Sequence, residues 1–167
     1  DAAEGQIWFN STDNTFKSIV SLDAWSSASS LLTARSTLGG FGARDASVMY
    51  GGTTNSTEEY NGSGFAAGGN LNTGRPNCQD NGWGVETAAV VASGYDGSNN
   101  TANVEEYNGS SFSEVNNVSS ARRQQASIGL VQTAGAICGG YTSTNVDSTE
   151  EYDGTNWTSG GSLNTSR

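Results

Sequence analysis

The sequence predicts an all-β fold of three complete four-stranded repeats, preceded by an orphan strand and an N-terminal β-hairpin. An aromatic residue is followed ten residues later by an arginine at four places: Trp25/Arg35, Phe65/Arg75, Phe112/Arg122 and Trp157/Arg167. A tyrosine in "EEYNG" or "EEYDG" stands five residues before each of the last three aromatics, at Tyr60, Tyr107 and Tyr152. Further upstream, a short apolar run ends at Gly52, Gly94 and Gly140. Self-similarity at intervals of 40 to 47 residues is typical of proteins built from stacked repeats.

Four strands follow from the pattern inside each repeat. The runs "ASVMY" and "GAICG" are apolar and bounded by glycine, which indicates strands buried on both faces. The segment "STEEYNG" alternates, so Glu58 and Tyr60 share one face of a strand that ends at an Asn-Gly turn. The strand that begins near the next aromatic should pair antiparallel with it, and the segment after each arginine supplies another strand. Four antiparallel strands in 40 to 47 residues predict one β-propeller blade.

The chain divides into an N-terminal hairpin or attachment segment, 1–24, and the repeat region, 25–167, whose complete repeats span 35–75, 76–122 and 123–167. The strand at Trp25 lacks a partner blade because residues 1–24 hold no full repeat. Three alternatives remain for closing the sheet array. The hairpin forms an irregular fourth blade with Val20 in the tyrosine position, a second chain completes the ring, or further sequence does so. A free sheet edge is an aggregation hazard, which favours the last two.

One loop in each repeat varies in length. The glycine is separated from the tyrosine by 8, 13 and 12 residues in the three repeats. Loops held by a rigid scaffold commonly carry binding residues, so the stretches 53–56, 96–103 and 142–147 are candidate binding loops. Their polar side chains could bond glycan hydroxyls. The candidate binding residues are Thr53, Asn55, Asp96, Asn99, Asn100, Thr142, Asn145 and Asp147.

Three pairs of adjacent glutamates are the candidates for acid/base chemistry: Glu58/Glu59, Glu105/Glu106 and Glu150/Glu151. Adjacent strand residues point to opposite faces, so the two members of a pair cannot clamp one substrate atom. We expect one glutamate to lie on a solvated face and the other to meet the repeat arginine, with catalysis or Ca²⁺ binding as alternatives. The sequence has no histidine, which excludes a Ser/His triad and imidazole metal ligands. No enzymatic activity, cofactor or metal is therefore expected.

The charge and hydrophobicity of the chain limit the kinds of partner that it is expected to bind. The net charge is −10 with 7 basic residues, which argues against nucleic acid. No run of 18 apolar residues occurs, so no membrane insertion is expected.

Cys78 and Cys138 occupy non-equivalent repeat positions and are expected to stay unpaired as small buried hydrophobes. The invariant spacing predicts that Phe65, Phe112 and Trp157 are equivalent and buried between repeats. Arg123 lies outside the repeat pattern and is expected at the surface.

The order of these features resembles the kelch repeat: a glycine pair closing an apolar strand, a variable loop, a Glu/Tyr strand, a tryptophan, and an arginine ten residues later. The resemblance covers residues 25–167 with two departures. Ser93 replaces the first glycine of one pair, and phenylalanine replaces tryptophan at Phe65 and Phe112. The resemblance implies a kelch-like β-propeller with the glycine pair ending the second strand and the tryptophan in the fourth. Function does not follow from such a fold.

A narrower resemblance concerns function. The Asn/Ser/Thr-rich repeats, preceded by "GQIWFNSTDNTFKSI", are similar to kelch-type structural proteins of marine bacteriophages, where such hairpins occur in tail fibres and other virion appendages. The resemblance implies a non-enzymatic protein of the virion surface that contacts the host through its blade loops. Its expected partners are other virion proteins, further copies of itself, and a host-surface glycan or receptor. The alternative is a cellular extracellular adhesin or carbohydrate-binding β-propeller.

Overall fold

The computed structural model describes residues 7–18, 27–52, 54–78 and 81–167, and in these residues the regular structure consists of β-strands. Strands β1 (Ile7–Asn10) and β2 (Thr15–Ser18) pair as the predicted N-terminal hairpin. The remaining strands are β3 (Leu38–Ala43), β4 (Ala46–Gly51), β5 (Thr57–Tyr60), β6 (Phe65–Ala67), β7 (Gly82–Val85), β8 (Ala88–Tyr95), β9 (Asn100–Tyr107), β10 (Phe112–Val115), β11 (Ala126–Val131), β12 (Ala134–Cys138), β13 (Thr149–Tyr152) and β14 (Trp157–Ser159).

These twelve strands form three antiparallel sheets of four, each ordered as in the chain: sheet I (β3–β6), sheet II (β7–β10) and sheet III (β11–β14). The sheets lie within 35–75, 76–122 and 123–167, respectively. The all-β class and the four antiparallel strands per repeat are confirmed. Trp25 and Val20, on which the question of closure depends, lie outside the described residues, as does Thr53.

Glycine pairs with left-handed backbone angles lie at the end of the second strand in sheets I and III, whereas the equivalent Ser93–Gly94 pair lies inside β8, at a bulge in its pairing with β9. Gly51 and Gly52 have φ of 69° and 89°, and Gly139 and Gly140 have 66° and 97°. Ser93 adopts the same conformation without being glycine, with φ of 61°. Its hydroxyl oxygen lies 2.7 and 2.6 Å from the main-chain oxygens of Thr101 and Arg122, either of which can accept its single hydrogen, and it accepts the main-chain N–H of Arg122 at 3.1 Å. These bonds offset the cost of a left-handed serine, which is why the sequence can depart from glycine here.

The sheets stack face to face, so each has a forward face toward the next sheet and a backward face toward the previous one. The forward face of sheet I carries the cross-strand row Phe41, Val48, Glu59 and Ala66. In sheet II the same row reads Trp83, Val90, Glu106 and Ser113. Sheet III repeats it as Ile128, Ala136, Glu151 and Thr158. One pattern thus governs the forward face of every sheet.

Aromatic rings fill the two sheet interfaces. Phe41 packs against Tyr107 of sheet II, with ring centroids 5.8 Å apart. Trp83 packs against Tyr152 and Trp157 of sheet III, at 6.3 and 6.0 Å. The rings of each tyrosine and its following aromatic stack at 4.6 to 4.9 Å in all three sheets.

The predicted burial of the three equivalent aromatics holds fully only for Phe112, which is 6% exposed. Phe65 is half-buried, because no described sheet covers the backward face of sheet I. Trp157 is also half-buried, because its indole reaches toward the surface and donates to Asn116 O at 2.9 Å.

Candidate ligand-binding loop face

The first three repeat arginines form buried ion pairs with the first glutamate of each pair. The nitrogen–oxygen distances are 2.6 Å for Arg35–Glu58 and 2.7 Å for both Arg75–Glu105 and Arg122–Glu150. All six side chains are at most 4% exposed. This half of the glutamate expectation is confirmed.

Each of these carboxylates also accepts main-chain N–H groups of the segment that precedes its sheet, one for Glu150, from Ser119 at 2.7 Å, and two for each of the others. Glu105 accepts the main-chain N–H groups of Asn72 and Thr73 at 2.7 and 3.2 Å. Glu58 accepts those of Leu32 and Thr33 at 2.7 and 3.1 Å. A carboxylate that holds an arginine and two N–H groups has its lone pairs occupied. These glutamates therefore hold the segments between repeats.

The second glutamate of the first two pairs meets the following sheet. Tyr107 donates its hydroxyl hydrogen to Glu59, and Tyr152 donates to Glu106 at 2.9 Å. The expectation of a solvated face is therefore wrong for Glu59 and Glu106, because the forward face that carries them is covered by the next sheet. It holds for Glu151, which is exposed on the forward face of sheet III.

Burial and the adjacent carboxylates raise the pKa of both tyrosines. For Tyr107, desolvation is the larger cause of the raised pKa and the hydrogen bond to Glu59 the next. The pKa of Tyr152 is raised in the same way, by desolvation and then by Glu106. Both hydroxyls therefore stay protonated and act as donors that link neighbouring sheets.

The variable loops follow the second strand of each sheet and lie at the same end of the array. Asn100 joins two of them, since its side-chain amide donates to Tyr141 O and Thr142 O at 3.0 and 2.8 Å. The predicted loop 96–103 is too long, because residues 100–103 belong to β9. A bulge in the pairing of β8 with β9 lengthens this hairpin and leaves a loop of 96–99. Asn100 is thus a tether at the start of a strand.

The other predicted binding residues separate into exposed and structural ones. Asn55 is exposed, although its side-chain amide donates to Leu71 O at 3.0 Å. Thr142 is half-buried and its main-chain N–H donates to Thr144 O at 3.1 Å. The exposed remainder is Asp96, Asn99, Asn145 and Asp147.

Asp96 organises its loop as a fixed negative charge. Its carboxylate accepts the main-chain N–H groups of Asn99 and Ser98 at 2.7 and 2.8 Å. These bonds to the charged form lower the pKa of Asp96. The loop therefore presents an ionised carboxylate at neutral pH.

A cation sandwiched by two tyrosines lies beside these loops. The guanidinium carbon of Arg123 is 5.0 Å from the ring centroid of Tyr95 and 4.9 Å from that of Tyr141. Arg123 also pairs its main chain with that of Tyr141 and donates to Asn100 Oδ1 at 3.3 Å. Its Nε and Nη2 have no hydrogen-bond partner among the described residues. We call Tyr95, Asn100, Arg123 and Tyr141 the loop-face cluster.

Sequence reasoning missed this cluster. Arg123 was expected only to be a surface residue, yet it is half-buried between the two rings. The available signal was the tyrosine that directly follows the glycine in "SGY" and "GGY", together with the arginine that directly follows Arg122. A planar guanidinium with free donors, flanked by aromatic rings, suits a carboxylate or hydroxyl-rich ligand.

Cys78 and Cys138 are both free thiols in the structure. Cys78 is buried, and that burial raises the pKa of its thiol to about 11. Cys138 is half-buried, less than predicted.

Within the described ranges, no three Cys, Asp or Glu side chains come together as a possible metal site. No helix in those ranges is long and apolar enough to span a membrane.

No model of a known protein family matches the chain, and no curated protein does so either.

Proposed function

We propose that the chain is a non-enzymatic component of a virion appendage, built from kelch-type propeller blades, whose loop face contacts the host surface. The fold and the hairpin at Ile7–Ser18 are compatible with the resemblance to phage appendage proteins. The location on a virion rests on that sequence resemblance. The contact role rests on the loop-face cluster.

The division of polar groups within the molecule carries the proposal. The glutamates at Glu58, Glu105 and Glu150 are buried in ion pairs. Two of the remaining three bond tyrosines of the next sheet. Accordingly the repeated acidic residues act as architecture. The loops, in contrast, differ in length and sequence between repeats and expose polar side chains such as Asn99, Asn145 and Asp147, as expected of a recognition surface.

The loop-face cluster also favours a second candidate, a cellular extracellular protein that binds carbohydrate. Tyrosine rings and a guanidinium are groups that bind sugar rings and their carboxylates in any extracellular setting. The two candidates differ in location and share the binding surface. Neighbouring genes for capsid and tail proteins would support the virion, whereas a secretion signal with a wall anchor would support the adhesin.

The contact role is tested with the purified chain and intact cells of the candidate host. We expect saturable binding, weakened by Arg123→Ala by roughly tenfold or more, because a charged hydrogen bond contributes about 1.5–3 kcal/mol. The matched control is Arg44→Ala, which removes the same charge from a side chain that is 93% exposed in the turn between β3 and β4. Equal binding by both variants would contradict the assignment of the loop face.

Location is tested separately with antibodies against the chain. Gold-labelled antibody on intact particles of the virus that carries the gene should decorate an appendage. Labelling confined to the envelope of uninfected cells would support the adhesin instead.

A further inference from the structure

Sheet III presents a face that sheets I and II bury. Ile128 takes the position of Phe41 and Trp83 in the forward-face row, yet it is 62% exposed. Glu151 takes the position of Glu59 and Glu106, and no tyrosine among the described residues donates to it. This face is therefore built like two covered faces but is itself uncovered.

Sheet I presents the complementary face. Tyr60 and Phe65 stack at 4.8 Å like the pairs in the other sheets, but no described sheet lies against them. The Tyr60 hydroxyl has no hydrogen-bond partner among the described residues. A groove of about 600 Å³ lies over the two rings and is also lined by Gly42 and Ser47.

The corresponding hollow on sheet III is occupied. A Cβ added at either Gly129 or Gly135 would collide with the Trp83 indole, so the indole rests directly on the backbone there. Gly135 is the position equivalent to Ser47 of the empty groove. The groove on sheet I is thus the place where a preceding sheet would insert its forward-face apolar side chain.

We propose that the forward face of sheet III binds the backward face of sheet I in a second copy of this chain, and that two such contacts close a dimer. Ile128 supplies the apolar side chain for the groove over Tyr60 and Phe65, and Glu151 supplies the acceptor for the Tyr60 hydroxyl. Both internal interfaces already use this combination. Two chains contribute six sheets, within the range of about four to eight found in closed propellers. A head-to-tail contact that closes on itself gives a finite ring.

Docking requires one exchange of chain segments. Residues 68–75 lie between sheets I and II and bond both, through Leu71 N to Asn55 O and through Arg75 to Glu105. In the dimer, the equivalent position lies between sheet III of one copy and sheet I of the other. Residues 160–167 of the first copy and residues 27–35 of the second copy cannot both occupy it.

The ion pair decides which segment keeps that position. The Arg35–Glu58 pair holds 27–35 to its own sheet with both side chains at most 3% exposed. Arg167 is exposed, and its guanidinium has no carboxylate partner within the described part of the chain. Residues 160–167 are therefore displaced in the dimer. Gly140 N and Asp147 O, which hydrogen-bond residues 160–167 within one copy, then bond residues 27–35 of the second copy instead.

The test is the mass of the purified chain by sedimentation equilibrium. We expect twice the chain mass of 17.2 kDa for the wild type. Ile128→Glu should weaken self-association by at least tenfold, because it places a charge in the groove. Ser143→Glu adds the same charge to an exposed loop residue and should leave the dimer intact.

A mixing experiment distinguishes this contact from any other dimer. Ile128→Glu damages only the forward face, and Tyr60→Asp damages only the backward face. Each variant alone should be monomeric, and an equimolar mixture should form a pair, since one intact contact remains between them. Tyr60→Phe, which keeps the ring, replaces Tyr60→Asp if the latter does not fold, and should weaken the dimer. A wild-type monomer, a dimer insensitive to Ile128→Glu, or a mixture of the two monomeric variants that does not pair would overturn the proposal.

Discussion

Replacing Glu105 with glutamine should be among the most destabilising single changes in the protein. Glu105 is fully buried and accepts four hydrogen bonds: from Asn72 N at 2.7 Å, Asn72 Nδ2 at 3.0 Å, Thr73 N at 3.2 Å and Arg75 Nη1 at 2.7 Å. Glutamine keeps the shape but has one acceptor oxygen, and its amide would face donors. Arg75 would then be a buried charge without a counterion. Breaking a buried pair in this way costs about 3–5 kcal/mol.

The assay is urea unfolding followed by tryptophan fluorescence and far-ultraviolet circular dichroism. Trp83 lies in the interface between sheets II and III and reports its loss. With a slope of about 1–3 kcal/mol per M urea, the midpoint should fall by roughly 1 M or more. Asp45→Asn is the matched control, because the Arg44–Asp45 pair is 3.7 Å apart and largely exposed, and its midpoint should not change measurably.

A double-mutant cycle isolates the pair itself. Arg75→Met should lower the free energy of unfolding much less in the Glu105→Gln background than in the wild type. In that background the substitution removes a guanidinium that already lacks a counterion. We expect a coupling free energy of about 1–3 kcal/mol between the two residues. If Glu105→Gln behaved like Asp45→Asn, the reasoning that these glutamates hold the repeats together would be refuted.

Three further predictions concern the sheet interfaces and pH. Phe112→Ala should lower the free energy of unfolding by about 3–5 kcal/mol. The equivalent Phe65→Ala should lower it by less than half as much, since Phe65 is covered on one side only. Equal shifts of the urea midpoint in the two variants would contradict this. Gly135→Ala should cost about 1–3 kcal/mol by pushing the Trp83 indole away, and a change in the fluorescence of the folded state would accompany it. Folding raises the pKa of Cys78 from 9.0 to about 11 and the pKa values of Tyr107 and Tyr152 above 10.0. The contribution of these groups to the free energy of unfolding is therefore fully present below about pH 9 and is lost as pH rises. Each group lowers the free energy of unfolding by up to about 1.4 kcal/mol per pH unit. In urea titrations, Cys78→Ala should remove only the contribution of Cys78, which is lost between pH 9 and about 11, and leave that of the tyrosines above about pH 10.

The repeat arrangement could be predicted because its signals are local. Strand boundaries come from runs of three to eight residues, and the alternation in "STEEYNG" already separates Glu58 from Glu59. That one glutamate of each pair meets a repeat arginine was also predictable, because both residues recur in every repeat. The sequence did not indicate which arginine it meets, since the paired residues are 23, 30 and 28 positions apart. Both inferences use contacts that each repeat makes in the same way.

The contacts of Glu59 and Arg123 could not be read in that way. Glu59 meets Tyr107, which lies 48 positions away in another sheet, and only the stacking direction of the sheets decides this. Arg123 and Tyr95 come together across an interface, with Asn100 tethering the loops between them. The strand character of residues 100–103 was hidden for a different reason, because the bulge at Ser93 moves the end of the hairpin.

The most direct test of the account compares two variants in one binding assay on host cells, with stability measured in parallel. The account assigns recognition to the loop-face cluster and architecture to the repeated glutamates. Arg123→Ala should lose roughly tenfold or more in binding by the folded protein. Because it also loses two tyrosine contacts, binding is measured at a temperature at which the variant stays folded. Glu106→Gln, at the link to Tyr152, should lower the midpoint and leave binding by the folded protein unchanged. Loss of binding, or of a sugar-cleaving activity, in folded Glu106→Gln together with full binding by Arg123→Ala would contradict the central claim.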